Sequence, residues 1–196
     1  MIGVLPRFTT RWWQSEGTTE GVSLETTHGS AQTVGDEFVD ASRVFLRQDF
    51  LPKLLHCLNS MTDDQIWWRP NEQSNSVGNL VLHLCGNLKQ WIVASLGGQN
   101  GHRDRDGEFA TRAKISRAEL ISAMNTAVAE AESVLLNFPT DQLLVQYPVQ
   151  VYQVSALRAV YHVVEHFSYH LGQILYIYKL QTATDPGFYR HLAGGA

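Results

Sequence analysis

The residues whose types and spacing could do chemistry are His162, His166 and His170, in the run Tyr161-His162-Val163-Val164-Glu165-His166-Phe167-Ser168-Tyr169-His170-Leu171-Gly172-Gln173. On a helix, residues four apart lie one above the other on the same face. The three imidazoles therefore form a ladder that drifts about 40° per step at roughly 100° per residue. Two imidazoles at i and i+4 can chelate one metal ion, and a third ligand must then come from another part of the fold.

One candidate for that third ligand is His83, at the edge of an apolar stripe with Asn79, Asn87 and Gln90 on the same flank. If that flank faces the ladder across a bundle core, His83 and one i, i+4 pair make a three-histidine site with positions left for water or substrate. The residues equally permit a buried polar network of histidine, Gln173 and Asn87, because imidazoles on a covered face need partners. A second motif overlaps the ladder. His162-Val163-Val164-Glu165-His166 matches H-x-x-E-H, the inverted zinc-protease pattern. That chemistry needs a third ligand on a later helix and an inward glutamate. Most of the chain beyond His166 completes the same helix, and Glu165 falls on a polar strip, so the protease reading is disfavoured.

The elements that must position these residues read as helices. Phe38, Ala41, Phe45, Phe50, Leu54, Leu55 and Leu58 recur at helical spacing over Asp36 to about Asn59, with Pro52 predicting a kink or a restarted turn. Thr62-Asp63-Asp64-Gln65 has the capping-box pattern and opens a short turn. The second helix starts after Asn75 or Ser76, carries Val77, Leu80, Val81, Leu84, Leu88, Trp91 and Ser95 as one stripe, and stops at Gly97-Gly98. Residues 99 to 115 read as a charged, glycine-containing loop in which His102 is solvated. Ser116 to Glu119 caps a third helix that ends near Phe138-Pro139. Val145 to Val154 alternates enough to permit a short extended piece. The fourth helix runs from Ser155 to about Thr182. On its wheel, Leu157, Val160, Tyr161, Val164, Leu171, Leu175 and Tyr178 form one apolar face. Arg158, Glu165, Tyr169, Tyr176 and Lys179 form a wet strip, and Ala159, the histidines, Gln173 and Ile177 form a second covered face.

The expected fold is all-α, a four-helix bundle. Its domain spans residues 36–185, between a flexible N-terminal tail (1–35) and a C-terminal tail (186–196). The tail's Trp12 and Trp13 could dock as an arm; otherwise His28 there, like His191 at the other end, is incidental. The chain has 196 residues, 44% of them hydrophobic and 17% charged, with a formal net charge of −4. That balance describes a globular domain and argues against a nucleic-acid binder, since Arg103, Arg105, Arg112, Lys114 and Arg117 are interleaved with acids. Cys57 and Cys85 sit in apparent helices and read as reduced core residues, which makes a reducing cytoplasm the expectation. No apolar run reaches the ~18 residues of a membrane span, and the first residues do not read as a signal peptide.

Three elements taken in order carry a resemblance: Trp68-Arg69-Pro70, then Ser76-Val77-x-x-Leu80-x-x-His83, then His166-x-x-x-His170-x-Gly172-Gln173. Over about residues 37 to 182 the chain resembles the DinB-like superfamily, in particular its branch of small bacterial proteins. The resemblance implies an up-down-down-up four-helix bundle, often a homodimer. It also implies a divalent ion such as Zn, Ni or Fe held by His83, His166 and His170. His162 then becomes a supporting residue and the substitute ligand, with Gln173, Asn87 and Tyr169 placed to orient ligands. Relatives include thiol S-transferases that use bacillithiol or mycothiol and a mycothiol-dependent maleylpyruvate isomerase. The implied function is metal-dependent transfer of a small thiol to an electrophile; the alternatives are a non-catalytic metal-binding stress bundle or a metal-dependent hydrolase.

Overall fold

The computed structural model describes residues 32–112 and 115–190. Trp12, Trp13, His28, Lys114 and His191 lie outside the described residues, and so does the expected N-terminal tail up to residue 31. Four long helical stretches dominate. The first comprises α1 (Val34–Val44), a π-helical segment (Phe45–Phe50) and α2 (Leu51–Ser60). A short α3 (Asp63–Ile66) comes next. The second stretch is α4 (Val77–Leu88), continued by a second π segment (Lys89–Ala94). After α5 (Arg105–Ala110) come α6 (Arg117–Asn137), a 3-10 turn (Thr140–Gln142) and a hairpin of β1 (Gln146–Val149) and β2 (Tyr152–Ser155). The last stretch is α7 (Ala156–Thr182).

Local chemistry sets the helix starts. Thr33, Thr62, Ser76 and Ser116 each accept a backbone N–H three residues on, and the side chain at that position accepts the cap residue's own N–H in return. Ser155 caps α7 in the simpler one-way form. Of the two outcomes expected at Pro52, a kink or a restarted turn, the structure has the restart. Proline can donate no N–H and would collide with the carbonyl four residues back. The chain widens into the π turn Phe45–Phe50 and re-enters α-helix with Pro52 in its first turn. The extended piece expected near Val145–Val154 is the antiparallel hairpin, pairing Gln146 with Ser155 through Val149 with Tyr152.

Helices α4 and α2 both pack against α6 and α7. Leu54, Leu58, Leu84, Leu88, Met124 and Phe167 are fully buried at their meeting, and the Phe167 ring stacks on Phe50 at 5.7 Å. The expected division of α7 into two covered faces needs correction. Its buried line runs through Val160, Val163, Phe167 and Ile174, between those two directions, while Tyr161 is 62% exposed. The apolar and histidine faces are one continuous covered surface with the histidines along its edge. Cys57 and Cys85 are buried and unpaired, and burial pushes both thiols up to about 12. Among the described residues, no helix is long and apolar enough to cross a membrane.

Candidate metal centre

Helix α7 places His166 and His170 one turn apart, and α4 brings His83 to them across the core. The Nε2 atom of His166 lies 3.1 Å from Nε2 of His83 and 3.2 Å from Nε2 of His170. Two nitrogens bound to one ion at 2.0–2.1 Å stand about 2.9 Å apart at a right angle and about 3.3 Å apart at a tetrahedral one. The observed spacings fall inside that interval. One ligand atom from each of the three histidines lies within 4.8 Å of the other two.

The outer ring nitrogens decide what the inner ones can do. Nδ1 of His83 sits 2.9 Å from Oε2 of Glu108. Burial would raise the Glu108 carboxyl, but hydrogen bonds from Arg103 and His83 outweigh it and hold the carboxyl below its usual range. An ionised carboxylate only accepts, so Nδ1 of His83 carries the proton and Nε2 presents its lone pair. Nη2 of Arg103 also lies 2.9 Å from that Nδ1, but it has better acceptors in Oε2 of Glu108 and the His83 carbonyl. Nδ1 of His170 lies 2.8 Å from Oε1 of Gln173. With that oxygen accepting, the lone pair of His170 Nε2 also points inward. His166 has no such partner: its Nδ1 is buried and unbonded among the described residues. Burial, with the charges of His170, His83, His162 and Arg103 adding to it, pulls its pKa down to about 3. Three imidazoles, at least two with inward lone pairs and one held neutral, form a donor set that fits a divalent cation.

A second layer fixes the first. Arg103 grips Glu108 side-on, Nε to Oε1 at 2.7 Å and Nη2 to Oε2 at 2.8 Å, and its Nη2 also donates to the His83 carbonyl at 3.2 Å. Its Nη1 donates to Oε1 of Gln90 at 2.9 Å, and the same oxygen accepts from Gln150 at the hairpin tip, where the backbone turns through a positive φ of 56°. Asn79 of the α4 cap ties this layer down by donating to the carbonyls of Glu108 and Thr111. Arg103 and Glu108 lie in the stretch read from sequence as a charged loop; it holds α5 and docks on α4. The signal that could have revealed them is Gly86, within α4. A Cβ there would collide with the Glu108 carboxylate and the Arg103 guanidinium.

The remaining sequence candidates fall outside the trio. His162 Nε2 is 3.3 Å from Nδ2 of Asn87, and its ring lies 4.1 Å from that of Trp91. Burial lowers its pKa as well. Asn87 therefore holds His162 and does not reach the convergent nitrogens. Tyr169 is 61% exposed with its ring edge on His170, Glu165 faces solvent, and His102 is exposed as expected.

A pH dependence arises from His166. The unfolded imidazole takes up a proton below about 6.5, whereas the folded one stays neutral down to about 3. Stability is therefore full above about 6.5 and falls as pH drops through that window, by about 1.4 kcal/mol per unit at most. Between pH 7 and 5 the metal-free protein should lose about 2 kcal/mol, a drop of roughly 4–8 °C in melting temperature. Burial lowers His162 and His170 as well, so His166→Gln should make the profile shallower without flattening it; an equally steep profile in that variant would rule out His166 as a source.

Comparison with known proteins bears on the fold. Residues 34–187 match the model of DUF1572, described as a protein of unknown function. A conserved protein from Enterococcus faecalis has a crystal structure that aligns with TM-score 0.62 and 18% identity, covering 79% of this chain and 100% of that one. The crystal structure of a DinB-like protein from Bacillus cereus ATCC 10987 aligns with TM-score 0.58 and 14% identity, covering 74% of this chain and 95% of that one. No curated protein matches. With the family model spanning most of its length and both alignments reproducing its helical architecture, the chain belongs to the DUF1572 family and has the DinB-like four-helix fold.

Proposed function

We propose that this chain is a divalent-metal-dependent enzyme that transfers a low-molecular-weight thiol to an electrophilic substrate. The observation that carries the metal part is the convergence of three imidazole Nε2 atoms at 3.1 and 3.2 Å, two with inward lone pairs set by Glu108 and Gln173. Thiol transfer rests on the resemblance to DinB-like transferases. A bound divalent ion would supply a Lewis acid that lowers the pKa of a small thiol at neutral pH.

The chain's own residues hold the site in readiness for that chemistry. Glu108 keeps the His83 proton on Nδ1, and Arg103 neutralises the buried carboxylate so that it need not be solvated. Gln173 fixes the ring of His170 in the same way. A homodimer, implied by the same resemblance, is part of this reading and is tested by molecular mass in solution.

The test uses untagged protein loaded with Zn, Ni or Fe and incubated with a panel of small thiols and 1-chloro-2,4-dinitrobenzene. In the expected reaction the sulfur forms a bond to the ring carbon, chloride leaves and the thiol proton passes to solvent. Conjugation should rise at least about tenfold over stripped protein with one thiol of the panel. Equal rates with and without metal for every thiol would remove the transferase reading. Metal retained without any turnover would favour the non-catalytic bundle.

A further inference from the structure

Gln150 stands where a hairpin calls for glycine. It is the first of the two residues that join β1 to β2, and of that pair it alone has a positive φ, 56°. A two-residue turn of that form takes glycine at its first position, because a Cβ there strains the backbone. Strain of this kind points to a use for the side chain that causes it. The Nε2 group of Gln150 donates to Oε1 of Gln90. An amide pair at the surface adds little stability, since water offers both partners the same bonds. The stability of the turn therefore does not account for the glutamine.

The bonds that Gln90 makes in turn supply a reason. His83, Gly86 and Gln90 lie three and four residues apart on one face of α4 and its π continuation. The Arg103 guanidinium lies along that face: Nη2 donates to the His83 carbonyl at 3.2 Å, Nη1 donates to Oε1 of Gln90 at 2.9 Å, and Gly86 leaves room between them. Ser95 donates its backbone N–H and its hydroxyl to the Gln90 carbonyl, so the backbone of Gln90 is held and its side chain is the part free to turn. That side chain accepts from two donors with one oxygen, Gln150 and Arg103. Gln150 thus keeps the amide from rotating its NH2 group, a donor, toward the guanidinium. Beyond Arg103 the bonds run on to Glu108 and from there to Nδ1 of His83.

We infer that Gln150 is a positioning residue of the metal centre: from the hairpin tip it orients Gln90, and through Gln90 it holds Arg103 against Glu108 and so keeps the His83 proton on Nδ1. The hairpin is then part of the site, although 60 residues separate Gln150 from Gln90. The effect on the ion rests on the metal-site reading; the hold on Arg103 does not.

The full chain is titrated with zinc and compared with Gln150→Gly, which removes the side chain and relieves the strain together. The zinc dissociation constant should rise about three- to tenfold, less than the 10–100-fold of removing an orienting group itself, while the melting temperature holds or rises. Gln150→Asn suits the turn but is one methylene too short to reach, and should behave like the glycine variant. Gln90→Ala should weaken zinc as well, and adding Gln150→Gly to it should bring no further loss. In zinc-free protein, solvent exchange of the Arg103 Nε–H measured by NMR should quicken at least about threefold in Gln150→Gly. Unchanged zinc affinity in Gln150→Gly, losses that add in the double variant, or a lowered melting temperature would overturn the inference. A parent chain that binds no zinc would remove the metal-site reading; the hold on Arg103 would then stand or fall on the exchange rate alone.

Discussion

In untagged protein, His83→Ala, His166→Ala and His170→Ala should each reduce the retained divalent ion to roughly a tenth or less of the parent's, while His162→Ala keeps it. The reason is geometric. The three Nε2 atoms share one point within reach of a single ion, so removing any one leaves a pair with no third protein ligand. His162 is turned away, its Nε2 engaged by Asn87. It cannot replace His170 without losing that partner and rotating the ring off Trp91. Metal content measured by mass spectrometry checks the series. Full retention in His83→Ala would mean that α7 binds the ion without α4. Loss in His162→Ala would mean that the ladder, and not the cross-core trio, is the site.

The second large effect belongs to residues that touch no ion. Arg103 and Glu108 have side chains only 8% and 11% exposed, so Arg103→Met leaves a buried carboxylate whose chief partner is gone. Chemical denaturation should show a loss of about 3–5 kcal/mol, the range for breaking one side of a buried ion pair. The double variant with Glu108→Gln should recover much of that loss, since no charge is then left stranded. Metal affinity should fall about 10–100-fold in Glu108→Ala, the usual effect of removing the group that orients a ligating imidazole. A stability change below about 1 kcal/mol in Arg103→Met would show that water reaches the carboxylate and that the pair is a surface contact.

These two series also mark what the sequence made legible. Interactions that close within one turn could be read directly. The Thr62–Gln65 and Ser116–Glu119 boxes are local, and the i, i+4 spacing of His166 and His170 states their common face. His83 needed one further step, that α4 and α7 face each other across the core. The face of α7 was harder. Several of its residues are amphipathic, and Tyr161, counted as apolar, lies with its ring outside the core. Arg103 and Glu108 were not legible because their charges look solvated until α5 is docked, and the docking depends on carbonyls that Asn79 selects. The π turns were also hidden. Pro52 announced the restart of the first helix but not the π turn that leads into it, and Lys89–Ala94 carries no proline at all.

The separation of the site's members along the chain has a kinetic consequence. His166 and His170 are four residues apart and come together as soon as α7 forms, whereas His83 and His166 are 83 residues apart. Closing the longer loop costs about 2.7 kcal/mol more by chain entropy alone, so the third imidazole arrives only with the tertiary encounter of α4 and α7. Isolated α7 would therefore grip cations weakly and without selectivity, and the change from two imidazoles to three would time the last stage of folding.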